Sequence, residues 1–365
     1  MPREQLPSCI GRRSVIILVV LSLLLGLLVH QRVSTQVEPS RLQSALVLYA
    51  LHSCGLPETA SQWANAIMFL KYGGVVKESA MFDTIDYAII FSKQSAKKVR
   101  LVHRHRNVRV FEVPGFYADL QSFGCVAMCL RDTNLFDTYS HFFWLNSGTR
   151  GPFFEPATWR SFALQFNPQR AQHFNWLDVA AGNVPRFSIP PESKATSFLI
   201  TPSVSWEISF HAQSYFMSMP SSTAKMLLAH YADPAPRSKD DAIIRLEVGA
   251  TSRLLSLNIL VFDLNRRRFV HKNDTDSLLG ISNPYMLDGF VDPYEGLFVK
   301  YRRELAPSKL NKIILHHEKV SLLPTSSAEL YETLQQKFRT RAQVSDWCTT
   351  ILTEDFLVSF DGCRP

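Results

Sequence analysis

The chain reads as an α/β protein: a mainly parallel sheet with covering helices, preceded by one N-terminal transmembrane helix. Three observations predict this. Short uninterrupted apolar runs, of the kind a strand buried on both faces needs, alternate with helical stretches. The strongest run, Phe142-Phe143-Trp144-Leu145, stops abruptly in the polar, glycine-bearing turn Asn146-Ser147-Gly148-Thr149-Arg150-Gly151-Pro152-Phe153. Ser14 to Val29 is an uncharged segment dominated by valine, isoleucine and leucine, with Arg12 and Arg13 before it and His30 and Arg32 after it.

The first element is that apolar segment. It is a little short of the roughly 20 residues that usually span a bilayer, which suits a thin early-secretory membrane. A signal anchor and a cleaved signal peptide are the two readings. Val33-Ser34-Thr35 is only a marginal cleavage pattern, and the arginine pair favours a cytoplasmic amino terminus. The expected organisation is a cytoplasmic tail over 1–13, a type II anchor over 14–29, a polar stem over 30–43 and a lumenal domain over 44–365. Of the six cysteines, Cys9 is then cytoplasmic, and Cys54, Cys125, Cys129, Cys348 and Cys363 lie in an oxidising lumen. Cys348 with Cys363 is the preferred bridge. Asn273-Asp274-Thr275 is an N-glycosylation sequon.

Beyond the stem the elements follow in order. Leu46 to Leu51 is a buried strand, and Glu58 to Tyr72 a helix with Trp63, Ile67 and Leu70 at helical spacing, stopped by Gly73-Gly74. Asp86 to Phe91 and Val108 to Val113 are strands, Leu120 to Arg131 a helix, and Phe142 to Leu145 the fourth strand. The second half offers a strand at Phe198 to Thr201, helices over Ser221 to Ala232 and Asp241 to Asn258, a strand at Ile259 to Phe262, and an outer helix over Ser326 to Arg341.

Composition limits the function classes. With 46% hydrophobic residues the chain can bury one large core or two modest ones. Its net charge of +7, from 39 basic and 32 acidic residues, includes no long basic tract, so no nucleic acid partner is expected. The clusters His103 to Arg106 and Arg266 to Arg268 read as solvated loops. The turn after Leu145 is either an ordinary strand end or a site that delivers backbone amides and a cation to a ligand at the carboxyl end of a strand.

Five motifs in order carry a resemblance. Asn107-Val108-Arg109-Val110-Phe111 with Asp119-Leu120-Gln121-Ser122-Phe123-Gly124, the block Phe143 to Phe153, the pair Trp159 and Phe162, Glu247 to Arg253, and Asp292-Pro293-Tyr294-Glu295 through Lys300 supply them. From Leu46 to Arg303 this series resembles Golgi and bacterial glycosyltransferase-like proteins of the rhamnan-synthesis-related type. It is similar to their "NVRV", "FLNSSVRGPF", "E-x-G-x-S" and "HPYE..FVK" blocks. Ala118 and Gln121 depart from the pattern, Asp292 stands where histidine is common, and Ala171 to Ser197 follows it poorly. The resemblance implies a GT-A-like fold, a nucleotide-sugar donor, a glycan or glycoconjugate acceptor, and a Golgi membrane location.

Glycosyl transfer needs a neutralised diphosphate leaving group and an oriented or deprotonated acceptor hydroxyl. Where many GT-A enzymes hold a metal with Asp-x-Asp, this chain has Asn146-Ser147-Gly148, with no carboxylate. A hard divalent cation wants anionic oxygens, so a metal is possible but not favoured, and no cofactor is expected. Arg150 either supplies the charge with Asn146 and Ser147 beside it or pins the loop to a local carboxylate. Asp274-Thr275-Asp276 is the one Asp-x-Asp, poorly placed inside the sequon. The family's turn implies a nucleotide contact for Asp119, which as a residue ahead of Leu120 also suits a helix N-cap. Glu295, Asp292 and Glu247 are the candidate bases, Glu295 first, because an apolar run follows it. His211 and the His316-His317 pair have no useful partner spacing. The expected activity is sugar transfer from a nucleotide sugar, and the rival is a non-catalytic lumenal carbohydrate-binding or scaffold protein on the same fold.

Overall fold

The computed structural model describes residues 43–51, 60–71, 74–92, 107–113, 119–130, 134–155, 159, 161, 163–164, 168–182, 198–202, 204–205, 210–231, 238–264, 268–270, 293–301 and 308–313. The predicted anchor, the sequon with Asp274 and Asp276, Asp292, the His316-His317 pair, Cys54, Cys348, Cys363 and the 326–341 helix lie outside the described residues. Asp119 and Glu295 are described as helix positions only.

Strand β1 (Gln43–Leu51) is flanked on one side by β2 (Phe82–Ser92) and then β3 (Val108–Val113), and on the other by β4 (His141–Asn146), all parallel. Beyond β4 comes β9 (Phe216–Pro220), antiparallel to both neighbours, then β6 (Phe198–Thr201) and the parallel β10 (Leu260–Asp263), with β11 (Arg268–Val270) antiparallel at the edge. The full order is β11-β10-β6-β9-β4-β1-β2-β3, a mostly parallel mixed sheet of eight strands. Two small pairs stand apart: β5 (Thr149–Arg150) with β12 (Val299–Lys300), and β7 (Val204–Ser205) with β8 (His211–Ala212).

The alternation of strand side chains divides the interior into two cores. Val47, Tyr49 and Leu51 join Phe143 and Leu145 on one face, under α1 (Ala60–Lys71) and α4 (Trp176–Ala180). Leu46, Leu48 and Ala50 join Phe142 and Trp144 on the other, under α2 (Asp119–Leu130), the short α3 (Leu135–Thr138), α5 (Ser221–Tyr231) and α7 (Gly249–Ser256). The expected helix over Asp241 to Asn258 is α6 (Lys239–Ala242), a π-helical segment over Ile243–Val248, and α7 in succession. Strand β9 was not expected. Its Phe-Met-Ser-Met-Pro sequence has little β-branched content, and it becomes a strand because β4 and β6 pair with it.

Two buried polar groups are held by opposite means. The Asp178 carboxylate in α4 accepts backbone N–H groups on both oxygens: Ala80 at 3.2 Å and Asn175 at 2.9 Å on Oδ2, Met81 at 2.9 Å on Oδ1. Burial pushes its pKa up while these donors oppose the shift. It clips the entry to β2 onto α4 and completes a capping box with Asn175. His141 sits among Phe82, Phe143 and Phe198, with Nε2 2.8 Å from the Ser218 hydroxyl.

Asp178→Asn turns one acceptor oxygen into a donor facing N–H groups. Denaturant unfolding is expected to show a loss of about 2–3 kcal/mol. Burial lowers the His141 pKa from 6.5 to about 3. The unfolded chain therefore takes the proton first, so this contribution to stability is complete above pH 6.5 and is lost as pH falls toward about 3. Over that window the native chain should lose stability more steeply than His141→Gln, by up to about 1.4 kcal/mol per pH unit. Parallel curves for the two proteins would refute the assignment.

Candidate functional site

From β1 the chain moves outward to β2 and β3, then returns to the opposite side of β1 as β4. The carboxyl ends of β1 and β4, where Ala50 lies opposite Asn146, are thus a topological switch point. Open α/β sheets bind ligands in the crevice outside such ends. The Asn146 to Arg150 turn occupies this position.

Its backbone is welded into the fold. Asn146 N donates to the Tyr215 carbonyl at 3.3 Å, Ser147 N to Ala50 at 2.9 Å, and Gly148 N to Asn146 Oδ1 at 3.0 Å. The Thr149 hydroxyl donates to the Tyr215 carbonyl at 2.9 Å. These three amides are therefore engaged internally. The expectation that the turn presents backbone amides to a ligand does not hold for residues 146–148.

The central clamp is Asn65, in the second turn of α1 and 0% exposed. Its Nδ2 donates to the carbonyls of Ser147 at 3.0 Å and Tyr301 at 3.1 Å, and its Oδ1 accepts Arg150 Nε at 2.7 Å. Two carbonyls and one N–H fix the amide orientation without ambiguity. The Arg150 guanidinium carbon stands 5.2 Å from the Tyr301 ring centroid, and the residue is only 4% exposed. So Arg150 does pin the loop, and the Asn65 amide is one of its partners. Gly151 takes φ 149°, and a Cβ there would stand 2.5 Å from Phe298 Cδ1 and 2.6 Å from the Leu297 carbonyl. Glycine is required by both the backbone conformation and the close approach.

The turn also collects the late motif. Strand β5 pairs with β12, Tyr301 N donates to the Gly148 carbonyl at 2.9 Å, and Phe153 N to Leu297 at 2.8 Å. Phe153 stacks edge-on against Tyr294 of α8 (Pro293–Gly296). The helix carrying Glu295 is therefore adjacent to the turn.

Glu247 reaches the same edge from the π-helical segment. Its Oε1 accepts both the Ser214 amide at 3.0 Å and the Ser214 hydroxyl at 2.8 Å. One turn later the Thr251 hydroxyl accepts Ala212 N at 3.0 Å. The helix thus binds alternate amides of the segment leading into β9, next to the Tyr215 carbonyl that holds Asn146. Among the described residues no donor reaches Glu247 Oε2. Burial, reinforced by the Glu247 charge, raises the Tyr231 pKa well above its usual 10.0. Asp263, at the carboxyl end of β10 and beside Thr201 in register, is buried on this edge as well.

The structure therefore gathers Asn146, Ser147, Arg150 and Glu247, with the Glu295 helix, along one edge. Asp119 is the first residue of α2, which follows β3. Asn65, Ser214 and Asp263 were not singled out from the sequence. Only Asp263 carried a usable signal, an aspartate closing the apolar run Leu260-Val261-Phe262. Among the described residues no group of three or more histidine, cysteine, aspartate or glutamate side chains is gathered to hold a metal.

No family model matches the sequence, and no curated protein matches it. Among solved structures, the chain is similar to the glycosyltransferase GlyE of Streptococcus pneumoniae TIGR4, at 8% identity and a TM-score of 0.36. The similarity covers 83% of this chain and 64% of that one, so the chain spans less than two thirds of that protein. No residue role passes between the two chains at that level.

Asn65→Ala removes the shared partner of Arg150 Nε and of two carbonyls. A loss of about 3 kcal/mol in unfolding free energy is expected. Hydrogen exchange at Gly148 and Tyr301 should accelerate with it, whereas an unchanged pattern there would deny Asn65 its clamping role.

Proposed function

We propose that this chain transfers a sugar from a nucleotide-sugar donor to a glycan or glycoconjugate acceptor. In this reading it works in the Golgi lumen, held as a single-pass type II protein by residues 14–29. The observation that carries the chemistry is the Glu247 carboxylate, with Oε1 fixed by two Ser214 donors and Oε2 without a donor among the described residues. A carboxylate held on one side and open on the other is suited to accept a proton from a bound hydroxyl. The ordered motifs from Asn107 to Lys300 support the same reading.

In the proposed step the acceptor oxygen forms a bond to the anomeric carbon, and the bond from that carbon to the phosphate oxygen breaks. The hydroxyl proton passes to Glu247 Oε2, and the nucleotide diphosphate leaves with its electron pair. Arg150, fixed by Asn65 and Tyr301, supplies positive charge behind Ser147 and Gly148 for that anion. Asn146 and Ser147 line the donor side in this scheme, the resemblance implies a nucleotide contact for Asp119, and Glu295 and Asp292 stay the alternative candidate bases. The residues of this edge do the work without a divalent metal in this scheme.

A second reading has its own support. The engaged amides of residues 146–148 and the near-complete burial of Arg150 also suit a non-catalytic carbohydrate-binding or scaffold protein.

Full chain incubated with a panel of nucleotide sugars and glycan acceptors is expected to release nucleotide diphosphate, with no dependence on EDTA. Glu247→Gln should lower kcat by about 100-fold or more, as removal of a general base does. Turnover that survives this substitution would return the base to Glu295 or Asp292. Saturable glycan binding without turnover of any donor would favour the scaffold.

A further inference from the structure

We propose a second small-molecule site at the amino-terminal corner of the sheet, for a ligand carrying an anionic group together with a hydroxyl or ammonium donor. A cavity of about 160 Å³ opens there, lined by Leu46, Asp86, Ala88, Arg109, Phe111 and Tyr139 among others. Leu46 lies opposite Asp86, and Ala88 opposite Arg109, so three adjacent strands project these side chains from one face. The switch-point turn is at the other end of the same strands, beyond Ala50. The two sites are separate.

The lining is chemically unusual for the flank of a core. Leu46, Ala88, Phe111 and Leu135 are buried and make an apolar wall. Into it project one carboxylate and one guanidinium. Asp86 Oδ2 accepts the Tyr139 hydroxyl at 2.5 Å, a charge-assisted bond that fixes the carboxylate. Among the described residues no donor reaches Oδ1. Arg109 is exposed, and among the described residues no carboxylate lies within ion-pair distance of it. Asp86, Arg109 and the Tyr139 phenol line the same cavity.

These groups select the ligand by complementarity. A guanidinium by itself takes carboxylate or phosphate, but the neighbouring carboxylate repels a bare anion. A ligand satisfies both only by bringing a donor for Oδ1 as well as an anion for Arg109. The volume compares with the roughly 150 Å³ cavity that accepts benzene, so the ligand has on the order of six to ten non-hydrogen atoms. Small amino acids and small hydroxy acids share this chemistry.

The test titrates full chain by calorimetry with L-serine, D-glycerate and ethanolamine. Saturable binding of L-serine or D-glycerate is expected, weakened at least about tenfold by Arg109→Gln and by Asp86→Asn, as loss of a charge-assisted hydrogen bond does. Binding of L-serine without D-glycerate assigns the donor to the ammonium, whereas binding of D-glycerate shows that a hydroxyl suffices. Arg109 is exposed, so its variant keeps the test decisive even if Asp86→Asn fails to fold. Absence of saturable binding by both probes would overturn the proposal. So would binding indifferent to Arg109→Gln, or ethanolamine binding as tightly as the anionic probes.

Discussion

A single side-chain amide holds the candidate active edge together. Asn65 joins α1 to the turn after β4 through the Ser147 carbonyl, to β5 through Arg150, and to the segment after β12 through the Tyr301 carbonyl. The bridged positions are 82, 85 and 236 residues away in sequence, so no local preference produces the arrangement. A fully buried amide is tolerable only with its donors and acceptor occupied, and this one has all three kinds of bond. The position of Arg150 follows from it. Its Nε is fixed by a neutral partner, so its positive charge is not cancelled by that contact. A carboxylate in place of Asn65 would accept from the arginine equally well but would have no donor for the Ser147 and Tyr301 carbonyls.

The buried and half-buried carboxylates can be sorted by how their oxygens are used. Asp178 receives backbone donors on both, from two separate segments, and acts as a fastener. Glu247 and Asp86 each have one oxygen occupied and one without a donor among the described residues. A carboxylate saturated by amides has little capacity left for a ligand, whereas a half-occupied one is oriented and still able to accept. This difference separates structure from candidate chemistry better than burial does. It was invisible in the sequence, where all three are single acidic residues near apolar runs.

Much of the scaffold was legible. The runs at Leu46, Asp86, Val108, Phe142, Phe198 and Ile259 all became strands: most are continuous apolar stretches suited to a sheet covered on both faces, and Val108 to Val113 at the edge mixes apolar with charged residues. Strand β9 was missed because it is made by its neighbours: Ser218 and two methionines give no β signal, yet all lie between β4 and β6. Asn65 was hidden for a related reason. In a helix with apolar residues at Ile67 and Leu70, an asparagine reads as part of the polar face, and only the tertiary partners reveal that it points inward. The meeting of the Phe143 to Phe153 block with the segment through Lys300 was not readable from either motif alone. It rests on a two-residue ladder and the backbone bonds around it.

The π-helical segment explains how Glu247 comes to face the sheet at all. Leu246 and Val248, on either side of it, are both buried. In a regular α-helix consecutive residues diverge by about 100°, and three in a row cannot share one inward face. A π turn carries more residues per turn, so the chain between α6 and α7 widens where Glu247 sits. Farther along, the geometry is α-helical again, and Ala250, Thr251 and Leu254 pack inward at ordinary spacing. The consequence is a pair of oxygens, on Glu247 and Thr251, receiving the amides of Ser214 and Ala212. Those bonds fix the segment whose next residue, Tyr215, accepts the Asn146 amide and the Thr149 hydroxyl. The local departure from α-helical winding therefore does two things at once. It brings a carboxylate to the edge, and it ties that carboxylate to the turn through a chain of backbone bonds only a few residues long.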